Sequence, residues 1–376
     1  MNMNEDKNLW IAAAIVFFVL GLEYLFARSK GKKIFRFENT ISNLLMGVFD
    51  RIAGIFMVPL IFMYYQFLYD YVRIFSIPNT IAWFLFAVLL SDFIWYFYHK
   101  SGHRINLFWG AHIIHHQSED YNYTVALNLT PFQVFVRVVF WSLMPIIGFT
   151  PEIVLGTHLV IGLYQFLLHT TLIPKLGIVE YLFVTPSHHR VHHGSNEEYL
   201  DKNYGGVLII WDRIFGTFAE EKDEVVYGIT KDINSRDFLT SVFHYYKNLG
   251  FQMKQLPAIK DKMLLLVSGP DWVPSTGELE LMPLYIDKGS YEYTDFSALK
   301  KTYILFNTIG LFAVLILFAY FLSHLSVVDM FGVATFIMLT LIITGRLLEN
   351  NKSAVLELVS FGLVLFWIYN FMVLGY

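Results

Sequence analysis

The sequence predicts an all-α fold: a polytopic membrane helix bundle with a cytoplasmic cap, built around a histidine-rich di-metal site. Three observations carry this. The 376 residues are 56% hydrophobic and only 15% charged, where soluble domains carry about 25% charged residues. Apolar runs of membrane-spanning length recur along the chain. Most of the thirteen histidines fall into three boxes beside such runs: His99 and His103 as HxxxH, then His112, His115 and His116 as HxxHH, then His189, His192 and His193 as HxxHH again.

A bilayer core of about 30 Å takes roughly 20 apolar residues per helix. Residues 9–27 fit, and without a small-residue cleavage site they read as a retained span, not a signal peptide. The segment 28–36, RSKGKKIFR, has five basic residues and no acid, so the positive-inside rule places it in the cytoplasm. Residues 41–66 form a second span, in which the adjacent Asp50 and Arg51 should face protein or lie near the boundary. A third span, 80–98, returns to the basic side and ends at His99. Residues 132–148 and 152–172 form an apolar hairpin around Pro145, Gly148 and Pro151, with Arg137 in its first arm; both ends return to the histidine side. Residues 174–300 are a polar block, read as a cytoplasmic cap. It has surface-lying amphipathic stretches near 239–266, an irregular part at 268–295 and a solvated acidic run at 219–224. Spans 303–323, 328–344 and 353–374 follow, with Arg346 and Lys352 in a loop on the cytoplasmic side and His324 isolated on the other. The chain thus divides into N-terminal helices (1–79), a catalytic region (80–250), a connecting segment (251–300) and C-terminal helices (301–376).

On a helix, positions i, i+3 and i+4 share a face, so each box aims two or three imidazoles at one point. Neutral imidazole is the commonest nitrogen ligand for transition metals. Eight box histidines exceed what one tetrahedral structural site needs, and two metals are the simplest assignment. His169, near the end of the second hairpin arm, is predicted as a ninth ligand. His158 lies eleven residues earlier, about 16 Å up the helix, and reads as a packed membrane histidine. Asp92, Tyr96, His99 and His103 form one helical stripe, so Asp92 either orients an imidazole or hydrogen-bonds another helix.

The absence of cysteine excludes disulfides, thiolate ligands and iron–sulfur clusters. The net charge of −4, without a basic block, argues against nucleic acid. Ligands that cap membrane helices among Phe93, Trp95, Phe97, Phe108 and Trp109 suit a substrate delivered from lipid. No phosphate loop, nucleophile elbow or dinucleotide fingerprint is present. C–H oxidation requires a metal that binds and reduces O₂, which iron does and zinc does not. A transporter would spread its ionisable residues through the mid-membrane, whereas these histidines gather at one face. A bis-histidine haem protein leaves most of the boxes unexplained; a non-catalytic metal-binding membrane protein is the alternative of a different class.

The three boxes in this order resemble the fatty acid hydroxylase/sterol desaturase superfamily of di-iron membrane enzymes. HHQSEDYN at 115–122, TPSHHRVHH at 185–193 and DKNYGGVLIIWDRIFGTF at 201–218 are most similar to its alkylglycerol monooxygenase branch, over roughly 90–250. The resemblance implies two iron ions on the box histidines. It also implies oxygen insertion at the ether-bearing carbon of an alkylglycerol with release of an aldehyde. Electrons would come from tetrahydrobiopterin, or from ferredoxin or cytochrome b5 as in other branches that hydroxylate or desaturate sterols, acyl chains or carotenoids. Nothing in the chain is itself a reductase, so the donor is external. Glu119 and Asp120 would shape or tune the site, and Asp212 beside Trp211 would support it. Where ten-histidine members carry a further HxxxH, this chain reads Gln165–xxx–His169, one ligand short. The membrane would be a bacterial inner membrane or the endoplasmic reticulum, with the site on the cytoplasmic side.

Overall fold

The computed structural model describes residues 3–275 and 277–349 and positions 359, 362, 365, 366 and 369. The predicted span 353–374 lies almost wholly outside these. Helix α1 (Met3–Ser29) contains the first expected span, and α2 (Phe37–Tyr71) runs past both ends of the second. At 35 residues, α2 extends about 50 Å, so its N-terminal turns reach beyond one hydrocarbon core. Asp50 and Arg51 pair with one another at 3.4 Å, with Arg51 facing outward. Protein contact therefore does not shield that arginine, contrary to one of the two expected placements.

Helix α3 (Ile81–Arg104) begins where the Thr80 hydroxyl accepts from the Trp83 amide, an N-cap that satisfies an otherwise orphaned donor. It continues through both histidines of the first box before Ile105 turns extended and α4 (Asn106–His116) starts. The hairpin comprises α5 (Gln133–Trp141), α6 (Leu143–Ile147) and α7 (Pro151–Leu168). The first arm is short and bent at Ser142, whose hydroxyl bonds the Val138 carbonyl at 2.6 Å beside the backbone bond from its own amide at 3.1 Å, a shared acceptor of the kind that bends helices. Gly148, at φ 128°, makes the turn; a Cβ there would meet the Phe75 carbonyl oxygen at 2.1 Å. Next come α8 (Pro186–His192) and α9 (Ile210–Phe215). The amphipathic stretch resolves into α10 (Phe238–Gln255), capped by Asp237, and α11 (Ile259–Val267). The chain re-enters the bundle with α12 (Ala298–Phe321) and α13 (Val327–Leu347). The only regular strands among the described residues, Lys231–Ile233 and Tyr285–Asp287, form one antiparallel pair that fastens the irregular 268–295 segment to the cap.

Among the described residues, five helices are long and apolar enough to cross a membrane: α2, α3, α7, α12 with its short extension, and α13. Their outward faces are apolar; Leu85 of α3 and Leu159 of α7 are 61% and 64% exposed, as lipid contact requires and water would penalise. Two cores share α2. One joins it to α10, α12 and α13 through Met46, Ile304, Leu311 and Ile337; the other joins it to α3, α5–α7 through Tyr65, Ala87, Trp141 and Val154. Between them α3 packs on both α4 and α7. This brings the first two boxes against the end of the hairpin.

Candidate metal centre

The four histidine-bearing segments meet where α3 and α7 end. There the nine predicted histidines gather into two buried groups: His99, His103, His112, His116 and His192 in one, and His115, His169, His189 and His193 in the other. Within each group the ring nitrogens lie within 4.8 Å of one another. The split follows from helix geometry. On α4, His112 and His116 are one turn apart and face α3, while His115 turns toward α7. Box three divides in the same way, giving His192 to the first group and His189 and His193 to the second.

The arrangement fits metal ions. The Nε2 atoms of His99–His112 and His169–His189 are 3.1 Å apart, and those of His112–His116 and His115–His169 are 3.2 Å apart. Ligands about 2.1 Å from a common ion stand about 3.0–3.4 Å apart along an octahedral or tetrahedral edge. The Nε2 atoms of His103, His192 and His193 are buried with no hydrogen-bond partner among the described residues, a cost that a bound cation removes. Three imidazoles are oriented through their far nitrogens: Nδ1 of His99 donates to the Tyr204 carbonyl at 3.0 Å, that of His192 to the Lys202 carbonyl at 3.0 Å, and that of His169 to the Gln165 carbonyl at 2.8 Å. A proton on Nδ1 leaves the Nε2 lone pair free to ligate. Burial also favours the neutral ring. It pushes His169 down to about 4 and His192 down to about 3, and holds His112, His115, His116, His189 and His193 well below the ordinary imidazole range.

The carbonyls behind His99 and His192 belong to the loop DKNYGG at 201–206. Asp201 and Asn203 adopt φ of 59° and 56°, left-handed conformations that Asp and Asn tolerate better than most residues. Asp212 accepts from the amides of Tyr204 at 2.7 Å and Gly205 at 2.8 Å; burial pushes this carboxyl up, against the pull of those bonds and the Thr217 hydroxyl. Of the two expected roles of Asp92 the structure shows the hydrogen bond to another helix, from the Trp211 indole of α9 at 2.8 Å, joined by the amides of Val207 at 2.6 Å and Leu208 at 3.1 Å; no imidazole is among its partners within the described residues. A carboxylate accepts several donors at once, and the loop offers three. Gly206 must be glycine, because a Cβ would come within 2.6 Å of Asp92 Oδ1. Gln165, one turn before His169, directs its amide to the carbonyls of Gly206 and Gly205.

Glu119 and Asp120 have no imidazole among their hydrogen-bond partners within the described residues. Glu119 accepts from Arg36 at 2.9 Å and the Tyr293 hydroxyl at 2.5 Å. Asp120 accepts from the Arg36 amide at 2.8 Å and Asn39 at 3.1 Å; burial raises its pKa, and the Arg36 amide and charge oppose this. They fasten the start of α2 and the 285–295 segment beside the cage, because α2 brings Arg36 and Asn39 to the end of α4. His158 belongs to neither group; its ring packs on Trp141 at 4.7 Å and its Nδ1 meets the Val154 carbonyl. His324 is exposed. The acidic run is less solvated than expected: Glu221 bonds Arg190 twice, at 2.7 and 2.6 Å. Arg190, inside box three, is buried and needs a counter-charge. Sequence reasoning missed this pair and the two loop carbonyls; Trp109, expected among the aromatic surroundings, covers His103 at 4.8 Å and His116 at 5.5 Å with its indole.

A cavity of about 500 Å³ opens on both groups, through His103, His116 and His192 of the first and His193 of the second. Its size suits a ligand site. Trp109, Ile113, Ile229, Leu265 and Trp272 line its apolar part, and Asn248, Gln252 and Asp271 its polar part.

Residues 84–217 match the fatty acid hydroxylase family, and both histidine groups fall inside that match. Alkylglycerol monooxygenase from Homo sapiens is 35% identical over 335 residues, 87% of this chain and 75% of the relative. The enzyme of the same name from Danio rerio is 31% identical over 360 residues, 94% and 78% of the two chains. The chain belongs to the alkylglycerol monooxygenase family. Membership makes it a multi-pass membrane protein and a lipid monooxygenase or hydroxylase. A more distant relative, ornithine lipid hydroxylase OlsE from Rhizobium tropici, is 26% identical over 190 residues, 48% of this chain and 54% of the relative. No solved structure matches.

Proposed function

We propose that the chain is a di-iron monooxygenase that oxidises the ether-bearing carbon of an alkylglycerol. The observation that carries this is the pair of buried all-imidazole groups opening on one amphipathic cavity. The relatives named alkylglycerol monooxygenase support the substrate. His99, His103, His112, His116 and His192 would hold one iron, and His115, His169, His189 and His193 the other. Iron bound there supplies O₂ activation and C–H oxidation.

Overall, one oxygen atom enters the carbon and the product collapses to an aldehyde and a free glycerol hydroxyl. The other oxygen leaves as water, with two electrons and two protons drawn from an external donor. By resemblance that donor is tetrahydrobiopterin; ferredoxin and cytochrome b5 are the alternatives. The cavity's apolar wall takes the alkyl chain and its polar wall the glycerol hydroxyls. Trp109 shields the imidazoles from water, and the Lys202 and Tyr204 carbonyls hold the rings in their ligating tautomer. The basic segment 28–36 supports a cage on the cytoplasmic side, by the positive-inside rule. The hydroxylase relative supports a second reading, simple hydroxylation of another lipid.

The test is to purify the protein, measure its metal, and supply alkylglycerol, O₂ and each donor in turn. Two irons per chain and fatty aldehyde release are expected. Zinc alone, with no oxidation of any lipid after iron reconstitution across all donors, would sink the enzyme reading.

A further inference from the structure

The cage and cavity use the inner side of α11 and leave its outer side unexplained. Leu265 is buried and lines the cavity, and its carbonyl accepts from the Asn106 side chain at 2.7 Å. On the opposite side Ile259, Met263 and Val267 stand in steps of four and are 75%, 55% and 56% exposed. A helix facing water places polar residues on such a stripe. Lys247 and Lys254 of α10 and Lys260 of α11 are exposed nearby, the pattern of a helix lying in a membrane interface.

The stripe also continues a surface already assigned to lipid. Phe243 of α10, partly exposed, packs its ring on Phe132 at 5.8 Å. Phe132 leads directly into α5, whose Phe135 and Val139 face outward. The Ser268 carbonyl, just past α11, accepts from the Asn106 amide at 2.8 Å, so the helix ends where α3 hands over to α4. This is the level at which α3 leaves the bilayer.

We propose that α11 lies in the membrane interface as the wall between the bilayer and the cavity. Ile259, Met263 and Val267 sit among acyl chains, the lysines meet headgroup phosphates, and substrate passes from the bilayer into the cavity beside this helix. The passage rests on the reading that the cavity takes a lipid; the depth of α11 does not.

The native chain has no cysteine, so single-site labelling is clean. Ile259→Cys, Met263→Cys, Val267→Cys and Lys254→Cys variants of the full chain would carry a fluorophore in proteoliposomes and be quenched by spin-labelled phospholipids. Labels at 259, 263 and 267 are expected roughly 5–10 Å deeper than the label at 254. Equal depth at all four overturns the proposal. So does shielding of the stripe from both lipid and aqueous quenchers, which identifies a protein partner on this face. In the same membranes, Met263→Ser combined with Val267→Ser should raise KM about tenfold for bilayer-presented lipid and leave KM for detergent-dispersed lipid unchanged. An unchanged KM in both formats overturns passage beside α11. An inactive wild-type protein with deep labels overturns the preceding reading and upholds this placement.

Discussion

Asp92→Asn tests how the cage is held. Asp92 is 1% exposed, so solvent does not screen its bonds. Its Oδ1 accepts from Val207, and its Oδ2 from Leu208 and Trp211. Asparagine keeps one acceptor oxygen, which serves the Leu208–Trp211 pair and turns its amide against the Val207 N–H. One charge-assisted bond is lost and one buried donor is stranded, together about 3–5 kcal/mol. The strain falls on the 203–208 loop, whose Tyr204 carbonyl orients His99. Asp212 still holds the Tyr204 amide, so the ring is loosened and stays in place. Loss of such outer support costs about 10–100-fold in metal affinity. The effect should reach only the five-histidine group, because His169 is oriented by the carbonyl of Gln165 in its own helix. Metal content measured across a chelator series should show one ion leaving at 10–100-fold lower chelator than in the wild type, the other unchanged, with helicity retained. Two ions at wild-type affinity, or equal loss of both, would refute the argument.

His169→Ala should empty the four-histidine group, while His158→Ala, whose ring packs on Trp141, keeps full metal content; metal analysis of the two variants decides. Glu119→Gln and Tyr293→Phe each weaken the contact between α2, the post-box loop and the 285–295 segment. Each should cost about 1–2 kcal/mol in thermal stability and leave metal content unchanged; metal loss in Glu119→Gln would return that residue to the centre. Glu221→Ala strands the buried Arg190 guanidinium and should destabilise the fold by about 3–5 kcal/mol, read by thermal unfolding. Metal-free protein should lose stability as pH falls below about 6.5. The folded-state pKa of His169 is depressed to about 4 and that of His192 to about 3, so the unfolded chain binds more protons across that window. A flat stability profile from pH 7 to about 4 would show that the imidazoles are not held neutral.

The sequence revealed the cage more fully than its supports, for a physical reason. Histidines at i, i+3 and i+4 share a helix face whatever the tertiary fold, so the boxes could be read from spacing, and His169 from its place near the end of the hairpin arm. Their division into groups of five and four depends on how α3, α4, α7 and α8 cross, which spacing does not encode. The atoms that orient His99 and His192 are backbone carbonyls, which have no residue identity; their only trace is DKNYGG, with two residues suited to left-handed backbone and two glycines. The partners of the carboxylates were not legible, because proximity in sequence to a ligand says nothing about distant contacts. Asp92 bonds residues 115–119 positions away, and Asp120 bonds the start of α2. Helix α2 exceeded its expected span because its first turns are held by polar contacts from Asn39 and Asn43 to the post-box loop, which hydropathy does not register.

Gln165 joins these observations. By resemblance its position is one ligand short, and its side chain lies against the carbonyls of Gly205 and Gly206. The loop that orients His99 is therefore gripped on three sides: by Asp92 from α3, by Asp212 from α9 and by Gln165 from α7. The backbone carbonyl of Gln165 meanwhile orients His169 in the other group. One residue thus connects the supports of both groups, by its side chain to the first and by its main chain to the second. A histidine there would lose the amide that holds the carbonyls of Gly205 and Gly206. The clamped glycine loop and the oriented His169 ring are two consequences of the same glutamine.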